Sequence, residues 1–140
     1  MWIIYASLSA VLAAATAILG KIGVKGVDST LATTLRAVVM ALFLLPVAYF
    51  AGSFSKFSGD LLGSKVFGFI ILSAIAGALS WIFYFLALQS GTASGVSAID
   101  RLSIVLVIVF AGIFLGEALT LKTVLGALLI SIGAILIAFK

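Results

Sequence analysis

The chain contains no cysteine and no histidine. Their absence excludes disulfides, thiolate and imidazole metal sites, and nucleophilic catalysis of the Cys–His or Ser–His kind. Acids are nearly as scarce, and Asp28, Asp60, Asp100 and Glu117 are the whole set. A four-carboxylate metal centre would need every one of them, and they fall in different segments. No metal or cofactor is therefore expected, and the chain is not read as an enzyme. Charged residues make up 9% of the chain and hydrophobic ones 65%, against roughly 25% and 45–50% in soluble domains. Such a sequence cannot cover a water-facing surface with polar side chains. Lipid is the solvent that suits it.

The net charge is +4 and the pI about 9.7. The basic residues stand singly between apolar runs and form no stripe, so nucleic-acid binding is not supported. Juxtamembrane positive charge is the ordinary reading. The amino-terminal apolar run resembles a signal peptide, because Ala13-Ala14-Ala15-Thr16-Ala17 looks cleavable. However, no Lys or Arg precedes it, and Trp2 to Gly20 exceeds the roughly 7–15 residues of a typical h-region. An uncleaved first helix is expected.

A membrane span needs roughly 20 mainly apolar residues. The pattern predicts an all-α integral membrane protein of about five transmembrane helices, at about 2–23, 30–51, 65–90, 95–115 and 119–139, in one domain over 1–140. Lys25-Gly26-Val27-Asp28-Ser29 reads as a turn, with Asp28 or Ser29 as the cap of the second helix. Pro46 is tolerated within that helix because neighbours can satisfy the freed carbonyl. Gly52 to Ser64 is the one longer loop, Gln89 to Gly95 breaks an otherwise uncharged run, and Gly116-Glu117-Ala118 is a tight turn. Glu117 is expected in that turn, as the cap of the last helix or as a weaker protonation candidate than Asp100, and Lys140 is expected to anchor that helix at the interface.

An odd number of spans puts the two ends of the unit on opposite sides of the membrane. Lys56, Lys65 and Lys122 fall on one side; Lys21, Lys25 and Lys140 fall on the other, with Arg36 and Arg101 near helix ends. Orientation follows Lys/Arg excess, and this bias is weak. Odd span count, weak bias and the absence of an internal repeat suggest one half of an inverted-repeat transporter. Such a half can reach the inverted pair by inserting both ways and associating antiparallel.

Ionisable groups inside a span are costly and point to function. Asp100, Arg101, Arg36 and Lys21 would form a polar layer at one mouth of the bundle. Asp100 and Arg101 are adjacent and point about 100° apart, so Asp100 is expected to pair with Arg36 or Lys21. The layer is either a structural ion-pair network or a cavity that binds charged groups and exchanges protons. With no histidine, Asp100 is the best protonation candidate. Trp81, Tyr84 and Gln89 lie on the third helix, where Trp81, Tyr84 and Leu88 share a face. That face lines a solute path, serves helix packing or belongs to an interfacial aromatic belt. On the fifth helix Gly126, Ile130 and Gly133 mark a close helix–helix contact, within the protomer or between protomers.

Ala93-Ser94, then Phe114-Leu115-Gly116-Glu117, Leu119-Thr120 and Gly126-Ala127-Leu128-Leu129-Ile130-Ser131-Ile132-Gly133, resemble the EamA domain of the drug/metabolite transporter superfamily. Ser97-Ala98-Ile99-Asp100-Arg101-Leu102-Ser103 is similar to the small bacterial/archaeal transporter branch. There the segment usually reads Pro-Ile-Asp-Lys-Leu-Ser, so Ala98 stands for the proline and Arg101 for the lysine. The likeness covers the chain, including Lys21-Ile22-Gly23 and Trp81 to Gln89. It implies a transporter in a bacterial or archaeal inner membrane, with two inverted halves around a central cavity. It therefore implies a homodimer of dual topology or a different partner half; a non-transporting membrane assembly protein is the remaining reading. The small multidrug-resistance relatives use a Glu in helix one, and helix one here has no acid. The sum of Lys21, Arg36, Asp100 and Arg101 is positive, which favours an anionic or zwitterionic solute.

Overall fold

The computed structural model describes residues 1–139, so the anchoring role expected of Lys140 lies outside the described residues. Five helical stretches are long and apolar enough to cross a membrane. Three are continuous helices: α1 (Trp2–Gly23), α2 (Ser29–Phe50) and α3 (Lys65–Ser90). The fourth, Ala93–Leu115, is composed of α4 (Ala93–Asp100), α5 (Ser103–Phe110) and a wider π turn at Ala111–Leu115. The fifth is α6 (Leu121–Ala138). At 1.5 Å per residue even its 18 residues reach about 27 Å, close to the roughly 30 Å hydrocarbon core.

The helices start where a side chain can close their first free amides. Asp28 Oδ1 accepts from the Leu31 amide at 2.9 Å, which starts α2 at Ser29 rather than at the expected residue 30. Ser64 Oγ accepts from the Phe67 amide at 3.2 Å, ahead of α3. Thr92 Oγ1 accepts from the Gly95 amide at 3.1 Å and begins the fourth span at Ala93, two residues before the expectation. Thr120 Oγ1 accepts from the Thr123 amide at 3.2 Å. It takes the capping role expected of Glu117 and moves the start of α6 to Leu121. Gly116 ends the π turn in the left-handed region, at φ +68°, where a glycine is unstrained.

Pro46 lies within α2 without ending it. The stretch read as the longer loop contains two short 3₁₀ turns, Ser53–Lys56 and Gly59–Leu61. The fourth span departs from the continuous helix expected over 95–115. Leu102 N donates to Ile99 O at 2.9 Å, Ile104 N to Arg101 O at 3.1 Å, and Val105 N to Leu102 O at 3.0 Å. These i→i+3 bonds tighten the backbone to 3₁₀ geometry. Neither proline nor glycine stands there, so no local residue type announces the change.

The chain falls into two compact units. One joins Met1–Ile22 to the described part of Ser90–Lys140; its buried apolar residues, Ala17, Ala98, Ala111, Ala127 and Ala134, are all alanines. Here α6 packs along α4, so closely that a Cβ on Gly95 would stand 3.8 Å from the Ala138 Cα. Small side chains permit such an approach, and in lipid close packing drives association. The other unit, Gly23–Gln89, buries Val24, Ser29, Thr33, Phe85 and Leu88. Most large apolar side chains of the spans point outward, as lipid contact requires.

Candidate functional site

In the unit Gly23–Gln89, one face of α2 runs Ser29, Thr33, Arg36. Ser29 and Thr33 are buried, and the Thr33 hydroxyl donates to the Ser29 carbonyl at 2.8 Å. Arg36 follows one turn deeper and is half-buried. Its guanidinium carbon lies 3.5 Å from the centre of the Trp81 ring and 5.9 Å from that of Phe85. Trp81, Tyr84 and Phe85 form a cluster on α3 at i, i+3 and i+4. Centroids are 5.4 Å apart for Trp81–Tyr84, 5.5 Å for Trp81–Phe85 and 6.3 Å for Tyr84–Phe85. Below the cluster Leu88 is fully buried. A cation over an indole face is worth about 2 kcal/mol or more when desolvated.

Of the three sequence candidates on α3, Trp81 is thus brought onto Arg36, and Tyr84 is in contact with the Trp81 ring. The third, Gln89, is not: its side-chain amide donates to the Val27 carbonyl at 2.7 Å, tying the end of α3 to the turn before α2. Phe85 completes the cluster although the sequence reading did not single it out. The available signal was its spacing of four residues from Trp81.

In the other unit, Lys21 in the last turn of α1 donates from Nζ to the Gly91 carbonyl at 2.8 Å. This bond ties the end of α1 to the turn before α4. Asp100 ends α4 about 10 Å from the start of its span. It lines an open groove of about 530 Å³ with Ser103 and Leu106 of α5, Ser131 of α6, and Ile99, Leu102 and Val105. The Ser131 hydroxyl donates to the Ala127 carbonyl at 2.8 Å. The expected Asp100–Lys21 ion pair does not form among the described residues of this unit. Arg101 caps α4 through its backbone amide and its side chain is exposed. Ser103 and Ser131 enter the groove unannounced; hydroxyls inside an apolar run were the only signal.

The small faces of α6 also separate. Ala127 and Ala134 are buried, whereas a Cβ added at Gly126 or Gly133 would meet nothing within 4 Å, and Ile130 is exposed. The two faces of small residues on α6 thus differ in burial, the alanines being covered and the glycines leaving room for a Cβ. No group of His, Cys, Asp or Glu able to hold a metal occurs among the described residues.

Chemically, one unit offers a carboxylate and hydroxyls in an open groove, and the other a guanidinium held on an aromatic face. Residues 1–139 match the EamA-like transporter family. The "uncharacterized transporter in cobO 3'region" of Sinorhizobium sp. is 39% identical over 137 residues, which is 98% of this chain and 96% of that protein. The "uncharacterized transporter YvbV" of Bacillus subtilis (strain 168) is 33% identical over 116 residues, 81% of this chain and 37% of that protein. No solved structure matches.

Proposed function

The chain belongs to the EamA-like transporter family, and on that premise we propose that it carries a small solute as an antiparallel homodimer working by alternating access. It is a multi-pass membrane protein with bacterial relatives. The observation that carries the proposal is a match in size. The alignment with this five-span chain covers 96% of the Sinorhizobium relative, so the family includes a protein about the length of one such unit. An odd unit joined to a copy of itself in tandem is inverted automatically; an unjoined unit reaches that arrangement only by inserting both ways and pairing. The weak Lys/Arg bias supports dual insertion. The Gly126–Ile130–Gly133 face of α6, where Ile130 is exposed and a Cβ added at either glycine would meet nothing within 4 Å, is the proposed contact between copies.

Asp100 is the proposed proton-coupling group. It is the one acid inside a described span, since Asp28, Asp60 and Glu117 lie in turns, and it opens onto the groove with Ser103 and Ser131. Two copies with opposite orientations exchange inward-open and outward-open forms by swapping conformations. A second reading, a half that needs a different partner, draws on the Bacillus relative. The aligned stretch fills 37% of that protein, which leaves room for a second unit of equal length.

Labelling of a single cysteine tests the choice. The chain has none of its own, and Ser58→Cys places one between the two 3₁₀ turns. A membrane-impermeant maleimide is applied to intact cells and again after permeabilisation. Labelling in both steps is expected. Labelling confined to one step means a single orientation and rejects the antiparallel homodimer.

A further inference from the structure

We propose that Arg36, held on the face of Trp81, is the receptor for the carboxylate of an organic-acid solute whose apolar body lies against the aromatic cluster of α3. This assignment rests on the chain being a transporter and adds the solute's chemical class.

The geometry divides the guanidinium between two tasks. The contact with the Trp81 ring at 3.5 Å engages the positive charge and uses none of the five N–H donors on the guanidinium's edge. Among the described residues of its unit, no side chain or carbonyl accepts from that edge and no carboxylate lies within 4 Å. The two acids of the unit sit in turns, and Asp28 already accepts from the Leu31 amide. Arg36 lies seven residues into α2, about 10 Å along its axis. A permanent cation at that depth, whose donors no described group of its own unit answers, is costly unless an anion meets it.

A single planar fork matches a single carboxylate through two parallel hydrogen bonds. The solute's other end is specified by what surrounds the fork: Trp81 and Tyr84, both partly exposed, offer ring surface, and Trp81 is held by its ring contact with the buried Phe85. An apolar or aromatic acid fits this pairing better than a small polar one. A lipid phosphate supplies similar oxygens, but it belongs at the interface rather than a third of the way into a span.

The test uses tryptophan fluorescence of the purified full chain in dodecyl maltoside, which contains no phosphate. The sequence holds two tryptophans; Trp2→Phe leaves Trp81 as the only reporter. Hexanoate and 3-methylbutanoate are titrated against hexanamide, the neutral isostere of hexanoate. The expected result is a saturable change with the acids and none with the amide. Arg36→Lys keeps the charge but loses the planar fork, and should weaken the response about tenfold. An equal response to hexanamide in the chain that keeps Arg36 overturns the proposal without relying on any Arg36 variant. So does the absence of a saturable response to either acid, or an undiminished response in Arg36→Lys. An Arg36-dependent response to added phosphatidylglycerol that hexanoate does not displace assigns the edge to lipid and overturns the solute. Uptake of hexanoate into proteoliposomes separates the two readings. Arg36-dependent binding without uptake faults the transport proposal, whereas uptake with unaltered binding in Arg36→Lys faults this one.

Discussion

The Arg36 guanidinium rests 3.5 Å above the Trp81 ring, 45 residues away in sequence and on a different span. Trp81 also meets Tyr84 and Phe85 edge-on at 5.4 and 5.5 Å. Replacing it by Leu removes the cation contact and two aromatic pairs. We expect a loss of about 2–4 kcal/mol, read from unfolding in mixed micelles. A double-mutant cycle with Arg36→Gln should return a coupling of about 1–2 kcal/mol. Additive effects would show that the stack is geometric proximity without energy.

Asp100→Asn keeps the size and hydrogen-bonding capacity of the side chain and removes its titration. Coupled transport should be lost while insertion and yield are unchanged. Transport in proteoliposomes with and without an imposed pH gradient reads the difference directly, and undiminished gradient-driven uptake removes Asp100 from the coupling.

Two glycines test packing within the chain against the proposed packing between copies. A Cβ on Gly95 would stand 2.9 Å from Thr92 Oγ1 and displace the group that caps α4, so Gly95→Ala should cost about 1 kcal/mol. At Gly133 a Cβ meets nothing within 4 Å. Gly133→Ala should be neutral or stabilise by up to about 1 kcal/mol, and Gly133→Leu should leave helicity intact while dissociating the dimer. Cross-linking yield measures the second effect, and an unaltered dimer in the Gly133→Leu variant would move the contact to another face.

Lys21 and Gln89 belong to a different class, since each spans from a helix end to a loop carbonyl. Lys21→Met removes a charged donor from Gly91 and should cost about 1.5–3 kcal/mol; Gln89→Leu removes a neutral one from Val27 and should cost about 0.5–1.5 kcal/mol. Both variants should keep the solute preference of the unaltered protein. A changed preference in competition assays would return the affected residue to the solute path.

The spans were legible because bilayer thickness fixes the length of each apolar run, and the caps because Asp28 stands beside the run it closes. The Trp81–Tyr84–Leu88 face was legible from helical spacing alone. What escaped was tertiary. Nothing in the sequence near residue 36 announces Trp81, and the stack depends on how α2 and α3 meet. On α6 the alternation of small residues offers two faces one position apart, Gly126–Gly133 and Ala127–Ala134. Spacing identifies both as small but not which one is buried. The tightening at 101–105 lacks the proline or glycine that would have marked it.

The four spans after the first begin with a side-chain oxygen, from Asp28, Ser64, Thr92 or Thr120, that accepts an amide three residues ahead. These closures are local, so they need no neighbouring helix. In hydrocarbon each unanswered amide costs several kcal/mol, and here each of these spans carries one of the required acceptors at its own threshold. A nascent span can therefore leave the insertion machinery with that end sealed before its partners have been synthesised. On this basis biogenesis is expected to separate into two steps, with partition into the bilayer one span at a time followed by the docking of α4 on α6.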